Sequence, residues 1–156
     1  MPGRIDARLA ELGIDLPTPP KPAASYVPFV VTGNLAFISG QVPFGPDGQL
    51  IKGKLGQDMD VDTGAGVAKI CGLSLLAQLK AACGGDLDRV KRVVKLTGFV
   101  NGTADFGDQP KVVNGCSDLM VAVFGADIGA HARSAVGMGS LPFGVAVEVE
   151  GIFEIA

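Results

Sequence analysis

Apolar residues recur at three- and four-residue steps in three segments of the chain, the spacing of one buried face of a helix. Residues 4–13 have apolar side chains at 5, 9 and 12 and end on a glycine, which predicts a short amphipathic helix. A third helix is predicted from about residue 108 to 124. The strongest stripe lies between them, in residues 63–83, at Val67, Ile70, Leu73, Leu76, Leu79 and Ala82.

The residues at the ends of the long stripe indicate where that helix begins and ends. Asp62 or Thr63 has the short polar side chain that caps a helix N-terminus. Gly84 and Gly85 follow the last apolar position, and glycine is the usual residue just past a helix C-terminus.

Five shorter runs rich in β-branched and aromatic residues predict strands. The first two flank a Thr-Gly-Asn turn at 32–34, and a third spans 91–101. The last two flank Leu-Pro-Phe-Gly at 141–144 and so predict a C-terminal hairpin. The order indicates an α+β sandwich, with a mostly antiparallel sheet and two helices packed on one face. We divide the chain into an N-terminal helix and proline-rich arm, 1–25, and a single domain, 26–156.

A two-residue turn at 142–143 would set the register of the predicted hairpin. Arg133 would then lie opposite Ile152, and Gly137 opposite Glu148. Arg133 and Glu148 would share a face but lie about 13 Å apart along the strands, too far for an ion pair. The two residues could still act together if a bound molecule bridged them, if the register differed, or if the site combined residues of two subunits.

Composition disfavours several classes of function. The chain has 156 residues and a formal net charge of −3, whereas nucleic-acid binders usually carry a basic stripe or patch. The three cysteines are widely spaced and form no metal or disulfide pattern. The first residues resemble neither a signal peptide nor a membrane span, so we expect a cytoplasmic protein with no membrane partner.

Several catalytic motifs can be rejected from the residues present. The paired glycines at 64–66 and 137–139 lack the third glycine of a dinucleotide loop. His131 is the only histidine, and its alanine neighbours make no nucleophile elbow, so we interpret it as a surface or packed residue.

Arg133 is the most informative cation. It opens a strand of small and apolar residues, which leaves room for a ligand beside a guanidinium that matches a carboxylate. The alternative is a structural ion pair with Glu150 or Glu154, and spacing alone does not separate the two interpretations.

An ordered set of short motifs spans residues 26–154. The motifs lie in the N-terminal hairpin, the middle strand, the second long helix and the last two strands. They are Tyr26, Gly33-Asn34, residues 38–43 (ISGQVP), Val94-Lys95, Phe99-Val100, Asp105-Phe106, Val113-Asn114, Ala132-Arg133-Ser134, Leu141-Pro142 and residues 145–150 (VAVEVE). This ordered set resembles the reactive intermediate deaminase family, also called the YjgF or Rid family.

The resemblance implies a chorismate-mutase-like fold, a homotrimer and sites in the clefts between subunits. It implies hydrolysis of 2-imino acids to 2-oxo acids and ammonia without a cofactor. Arg133 would hold the substrate carboxylate, and Glu148 would act on the attacking water. Five further positions match the family's pocket: Tyr26, Ser39, Gly40, Asn114 and Ala135.

The sequence also departs from the common pattern of that family. Ala135 stands where deaminases often have cysteine, and His131 stands where proline is common. A non-enzymatic trimer that binds small carboxylates is therefore an alternative. A ribonuclease or translation inhibitor would need a basic patch, for which the chain offers Arg89, Lys91, Arg92 and Lys95.

Overall fold

In the computed structural model, which describes residues 2–19, 21 and 25–156, five strands form one sheet and three helices accompany it. Positions 20 and 22–24 of the predicted proline-rich arm lie outside the described residues. The helices are α1 (Arg4–Glu11), α2 (Val61–Ala82) and α3 (Gln109–Gly129). The strands are β1 (Phe29–Thr32), β2 (Leu35–Gln41), β3 (Val90–Asn101), β4 (Ala132–Met138) and β5 (Val147–Ile155).

The sheet has the order β1-β2-β5-β3-β4, and every pair is antiparallel except β3 with β4. The α+β prediction is confirmed, but the predicted C-terminal hairpin is wrong. α3 lies between β3 and β4 in the chain and supplies the long crossover that a parallel pair requires. Pro142–Gly144 form a short 3₁₀ turn, and β5 then enters the sheet between β2 and β3.

This topology changes the relation between Arg133 and Glu148. On β3, Leu96 lies opposite both Arg133 and Gly151, whereas Phe99 lies opposite Glu148. Partners across a ladder share a face and faces alternate along a strand, so Arg133 is on the helix-covered face and Glu148 on the other. The predicted shared face is therefore wrong. The two Cα atoms are about 14 Å apart, three residues along and two strands across.

The two long helices pack together on one face of the sheet and supply much of the core. The predicted stripe of α2 is at the core, since Val67, Leu76 and Leu79 are buried. The start of the helix differs from the prediction, because the Asp60 carboxylate caps it by accepting from the Thr63 amide, and this bond lowers the Asp60 pKa. Gly84 ends it with a φ of 67°, as predicted.

The predicted apolar positions of α3 are buried, namely Val112, Val113, Leu119, Met120 and Val123. All three cysteines are buried as well. Burial raises the pKa of Cys116 to about 12. The predicted end at residue 124 coincides with a kink at Gly125, whose φ is 82°. By length and apolar composition alone α2 and α3 could each cross a membrane, but core helices of soluble proteins share those properties.

The N-terminal helix is fastened to the rest of the fold by Asp88. α1 has no side-chain cap of its own, and the Asp88 carboxylate accepts hydrogen bonds of 2.8 Å from the amides of both Arg4 and Ile5. Ile5 and Leu9 on the same helix are buried in the common core. Asp88, although distant in the sequence, therefore acts as the N-cap of α1.

We expect Asp88→Ala to destabilise the protein by about 1 kcal/mol, the usual cost of losing an N-cap. The two amide bonds lower the pKa of Asp88, so its contribution is complete above the unfolded-state pKa. The contribution is lost as the pH falls through the depressed folded-state pKa. Urea unfolding at neutral and acidic pH measures both effects. Asp118→Ala, at an exposed carboxylate on α3, is the control, and an equal loss in both variants would contradict this role.

Candidate functional site

A cavity of about 320 Å³ lies beside the end of β2 and contains four of the predicted site residues. Its lining includes Tyr26, Ser39, Gly40 and Glu148. Several other lining residues were not predicted as site residues, among them Lys21, Phe44, Leu50, Gln78, Pro142 and Phe143. Cavities of this size, mostly apolar with a few polar groups, are typical of small-molecule sites.

A bulge in β2 shapes this cavity. The pairing with β5 shifts between Ile38 and Gln41, so Ser39 and Gly40 leave the regular ladder. The Ser39 hydroxyl donates to the Val27 carbonyl at 2.8 Å and so ties the segment after Tyr26 to the strand. A Cβ on Gly40 would lie 2.5 Å from Oε1 of Glu148, so a larger residue there would push the Glu148 carboxylate out of its present position.

Glu148 is the acidic group of the cavity. Burial raises the pKa of its carboxyl, and the neighbouring negative charge of Glu150 raises it further. A carboxylate with a raised pKa is a better proton acceptor near neutral pH than an ordinary glutamate. Among the described residues, no group of three or more His, Cys, Asp or Glu side chains is placed to hold a metal ion.

Phe143 forms part of the cavity wall in an unusual conformation. It has a φ of 60°, and it is the only non-glycine residue with positive φ in the described part of the chain. Its side chain is 69% exposed, which is high for a phenylalanine. The sequence placed this residue in a simple turn and gave no signal of a role in the site.

Arg133 lies at the opposite edge of the sheet, on β4 beside α3. Its NH1 group donates to Asn114 Oδ1 at 2.8 Å and to Ser117 Oγ at 3.2 Å. Among the described residues, its Nε and NH2 groups have no hydrogen-bond partner and no carboxylate forms an ion pair with it. The interpretation of Arg133 as a partner of Glu150 or Glu154 is therefore wrong.

Asn114 and Ala135 belong to this second group and not to the cavity. Asn114 projects from α3 and accepts from Arg133, while Ala135 follows on β4 and packs against the core. The structure thus brings the seven predicted residues into two groups: Tyr26, Ser39, Gly40 and Glu148 around the cavity, and Arg133, Asn114 and Ala135 at the β4 edge.

A serine and the single histidine complete the surroundings of Arg133. Ser117 Oγ lies 2.8 Å from His131 Nε2, and His131 Nδ1 lies 2.7 Å from the Gly129 carbonyl oxygen. The sequence did not indicate that Ser117 and His131 lie in contact. Serine three positions after Asn114 on a predicted helix was the available signal, since residues at i and i+3 share a helix face.

A family comparison accounts for this fold and these motifs. Residues 6–150 match the family described as "YjgF/chorismate_mutase-like, putative endoribonuclease". The chain belongs to the YjgF family.

Similar proteins occur in distant organisms. Protein TCP17 of Trypanosoma cruzi is 48% identical over 153 residues, which covers 98% of this chain and 95% of that protein. The crystal structure of Atu1372 from Agrobacterium tumefaciens, whose function is given as unknown, has 46% identity and a TM-score of 0.87, with 97% and 93% of the two chains covered. A "putative endoribonuclease" from Shewanella oneidensis has 30% identity and a TM-score of 0.92, with 98% and 100% covered.

Proposed function

We propose that this protein hydrolyses reactive 2-imino acids to 2-oxo acids and ammonia, at sites that two copies of the chain complete together. The main support for the proposal is that two complementary groups, Arg133 and Glu148, lie far apart within one chain. Arg133 presents unbonded guanidinium donors at one edge of the sheet, and Glu148 presents a basic carboxylate in a cavity reached from the other face. Among the described residues no carboxylate forms an ion pair with Arg133, and about 14 Å between the two Cα atoms is too far for both groups of one chain to act on one small substrate.

Exposed apolar residues on the uncovered sheet face support the association of several copies. Val30 is 52% exposed, Phe37 40% and Val136 38%. The register places the first two side by side with Ile152 on that face, and Val136 beside Phe99. A sheet face of this kind is normally covered, and we propose that it is covered in a homotrimer.

The proposed chemistry uses the two groups in different roles. The Arg133 guanidinium binds the substrate carboxylate with paired hydrogen bonds and orients the imine carbon. Glu148 accepts a proton from water as the water oxygen attacks that carbon of the protonated imine, and the C=N π electrons move to nitrogen, which gives a neutral tetrahedral carbinolamine. Glu148 then returns the proton to the nitrogen, the C–N bond breaks to release ammonia, and the carbinolamine hydroxyl gives its proton to Glu148 as the C=O bond forms.

The raised pKa of Glu148 gives this proposal a test with opposite effects on activity and stability. We expect Glu148→Gln to abolish turnover, because an amide does not accept the proton from water. The same variant should be more stable at neutral pH, since burial disfavours the charged form in the folded state. In the wild type, the cost of burying the charged Glu148 is absent below its unfolded-state pKa and complete above its raised folded-state pKa. The stability that Glu148→Gln gains over wild type should therefore disappear in acid.

The experiment measures loss of 2-imino acids, generated by an amino acid oxidase, in the presence of wild type and Glu148→Gln, with thermal unfolding in parallel. Glu150→Gln, at the exposed neighbouring acid, is the matched control and should keep turnover. Wild-type acceleration over buffer that Glu148→Gln lacks supports the proposal. No acceleration with a broad set of imines, while 2-oxo acids still bind, would favour a non-enzymatic carboxylate-binding protein.

A ribonuclease activity, as in the description of the matching family, has less support from this chain. The net charge is −3, and single-strand binding sites usually combine basic grooves with stacked aromatic side chains. Lys91, Arg92 and Lys95 are exposed on β3, but Lys21 is the single basic residue among the described residues that line the cavity beside Glu148.

A further inference from the structure

We propose that Ser117 and His131 form a positioning relay that holds one end of the Arg133 guanidinium and so directs its other donors to the substrate. This inference rests on the proposed function of Arg133 as the carboxylate-binding residue. It assigns Ser117 and His131 as positioning residues, which act on the substrate through Arg133.

The directions of the hydrogen bonds follow from the chemistry of each group. The Gly129 carbonyl only accepts, so His131 Nδ1 carries a proton and donates to it at 2.7 Å. In the neutral imidazole, Nε2 is then the acceptor, and the Ser117 hydroxyl donates to it at 2.8 Å. With its hydrogen committed, the Ser117 oxygen faces Arg133 as an acceptor at 3.2 Å.

The relay accounts for one of the two hydrogens on Arg133 NH1, and Asn114 Oδ1 accepts the other at 2.8 Å. NH1 is thus fully used by the protein. The Nε and NH2 hydrogens lie along another edge of the planar guanidinium, and they have no acceptor among the described residues. A planar fork held at NH1 therefore presents the Nε–NH2 edge, which matches the two oxygens of a carboxylate.

The relay also links two parts of α3 to the segment before β4, and these meet beside Arg133. Ser117 lies in the middle of α3, Gly129 is the last residue of α3, and His131 precedes β4. The serine oxygen is occupied by the arginine, so the geometry gives Ser117 a positioning role and not that of a nucleophile. Preorganised donors of this kind keep their orientation before the ligand arrives, which lowers the entropic cost of binding.

The test measures binding without turnover. NMR titration with 2-oxobutanoate gives Kd for wild type, Ser117→Ala, Ser117→Thr and Arg133→Ala, and for the double variant Ser117→Ala/Arg133→Ala. We expect Ser117→Ala to raise Kd by about 3- to 10-fold, the equivalent of one modest hydrogen bond, and Ser117→Thr to restore most of the affinity. In the Arg133→Ala background the serine change should have no further effect.

A second readout uses the fact that His131 is the only histidine. The ¹⁵N spectrum of the imidazole should show a proton on Nδ1 and a bare Nε2, with the Nε2 resonance shifted by Ser117→Ala. An unchanged Nε2 resonance, or an equal loss of affinity from Ser117→Ala with and without Arg133, would overturn the relay. If wild type neither binds 2-oxobutanoate nor hydrolyses imines, the proposed function fails, and the Nε2 resonance still decides whether the relay exists.

Discussion

Replacing Arg133 by alanine is expected to lower kcat/KM for imine hydrolysis by at least about 100-fold. A guanidinium bound to a carboxylate makes two charge-assisted hydrogen bonds of about 1.5–3 kcal/mol each, and each 1.4 kcal/mol is about tenfold. The loss should appear in KM because the carboxylate contact is gone, and in kcat because the imine carbon is no longer oriented. Steady-state kinetics with a saturable range of imine concentrations separate the two effects.

Arg133→Lys is the informative companion to this variant. Lysine keeps the positive charge but offers a compact ammonium without the planar fork, so we expect it to recover only part of the binding. Thermal unfolding checks that both proteins are folded, since Asn114 and Ser117 lose the Arg133 NH1 donor in each of them. A folded Arg133→Ala protein with wild-type kinetics would show that Arg133 is not part of the site.

Replacing Gly115 by alanine is expected to destabilise the fold by about 3 kcal/mol or more, at the upper end of the usual cost of overpacking. Gly115 lies where α3 packs closely against α2. A Cβ added to it would lie 1.8 Å from the Ala65 carbonyl oxygen and 3.1 Å from the Ala65 Cα. Because these are backbone atoms, no side-chain rotation relieves the clash, and the helices would have to separate.

Gly66→Ala is the matched control, one residue away from the contact on the partner helix. Among the described residues a Cβ at Gly66 meets nothing within 4 Å, so alanine there should stabilise α2 by about 0.5–1 kcal/mol through its higher helix propensity. Urea unfolding of both variants gives the comparison. A Gly115→Ala protein as stable as wild type would show that the helices do not pack as closely as described.

Local sequence patterns predicted the elements better than their arrangement. The stripe through Val67 and Leu76 located α2 because burial of one helix face is a local periodic signal. The position of β4 was missed because Pro142 and Phe143 resemble a two-residue turn, while the true partner of β4 is β3, reached through the whole of α3. Strand order is set by tertiary contacts that no short window contains.

The sequence named candidate site residues but did not indicate their geometry. The resemblance supplied Arg133 and Glu148, yet only the register of β3 shows that they lie on opposite faces. The Ser117–His131 contact joins residues 14 positions apart across the kinked end of α3. A single histidine with alanine neighbours gave no sign of that partner, since the contact depends on where α3 ends.

The most direct test of the account mixes two inactive proteins. Arg133→Ala and Glu148→Gln each lack one half of the proposed site, so each should be inactive alone. If a site takes its arginine and its glutamate from different subunits, mixed oligomers formed by co-refolding in equal amounts should recover about a quarter of wild-type activity under random assortment. Activity no greater than that of either variant alone, in mixtures shown by mass spectrometry to have exchanged subunits, would contradict a site shared between copies.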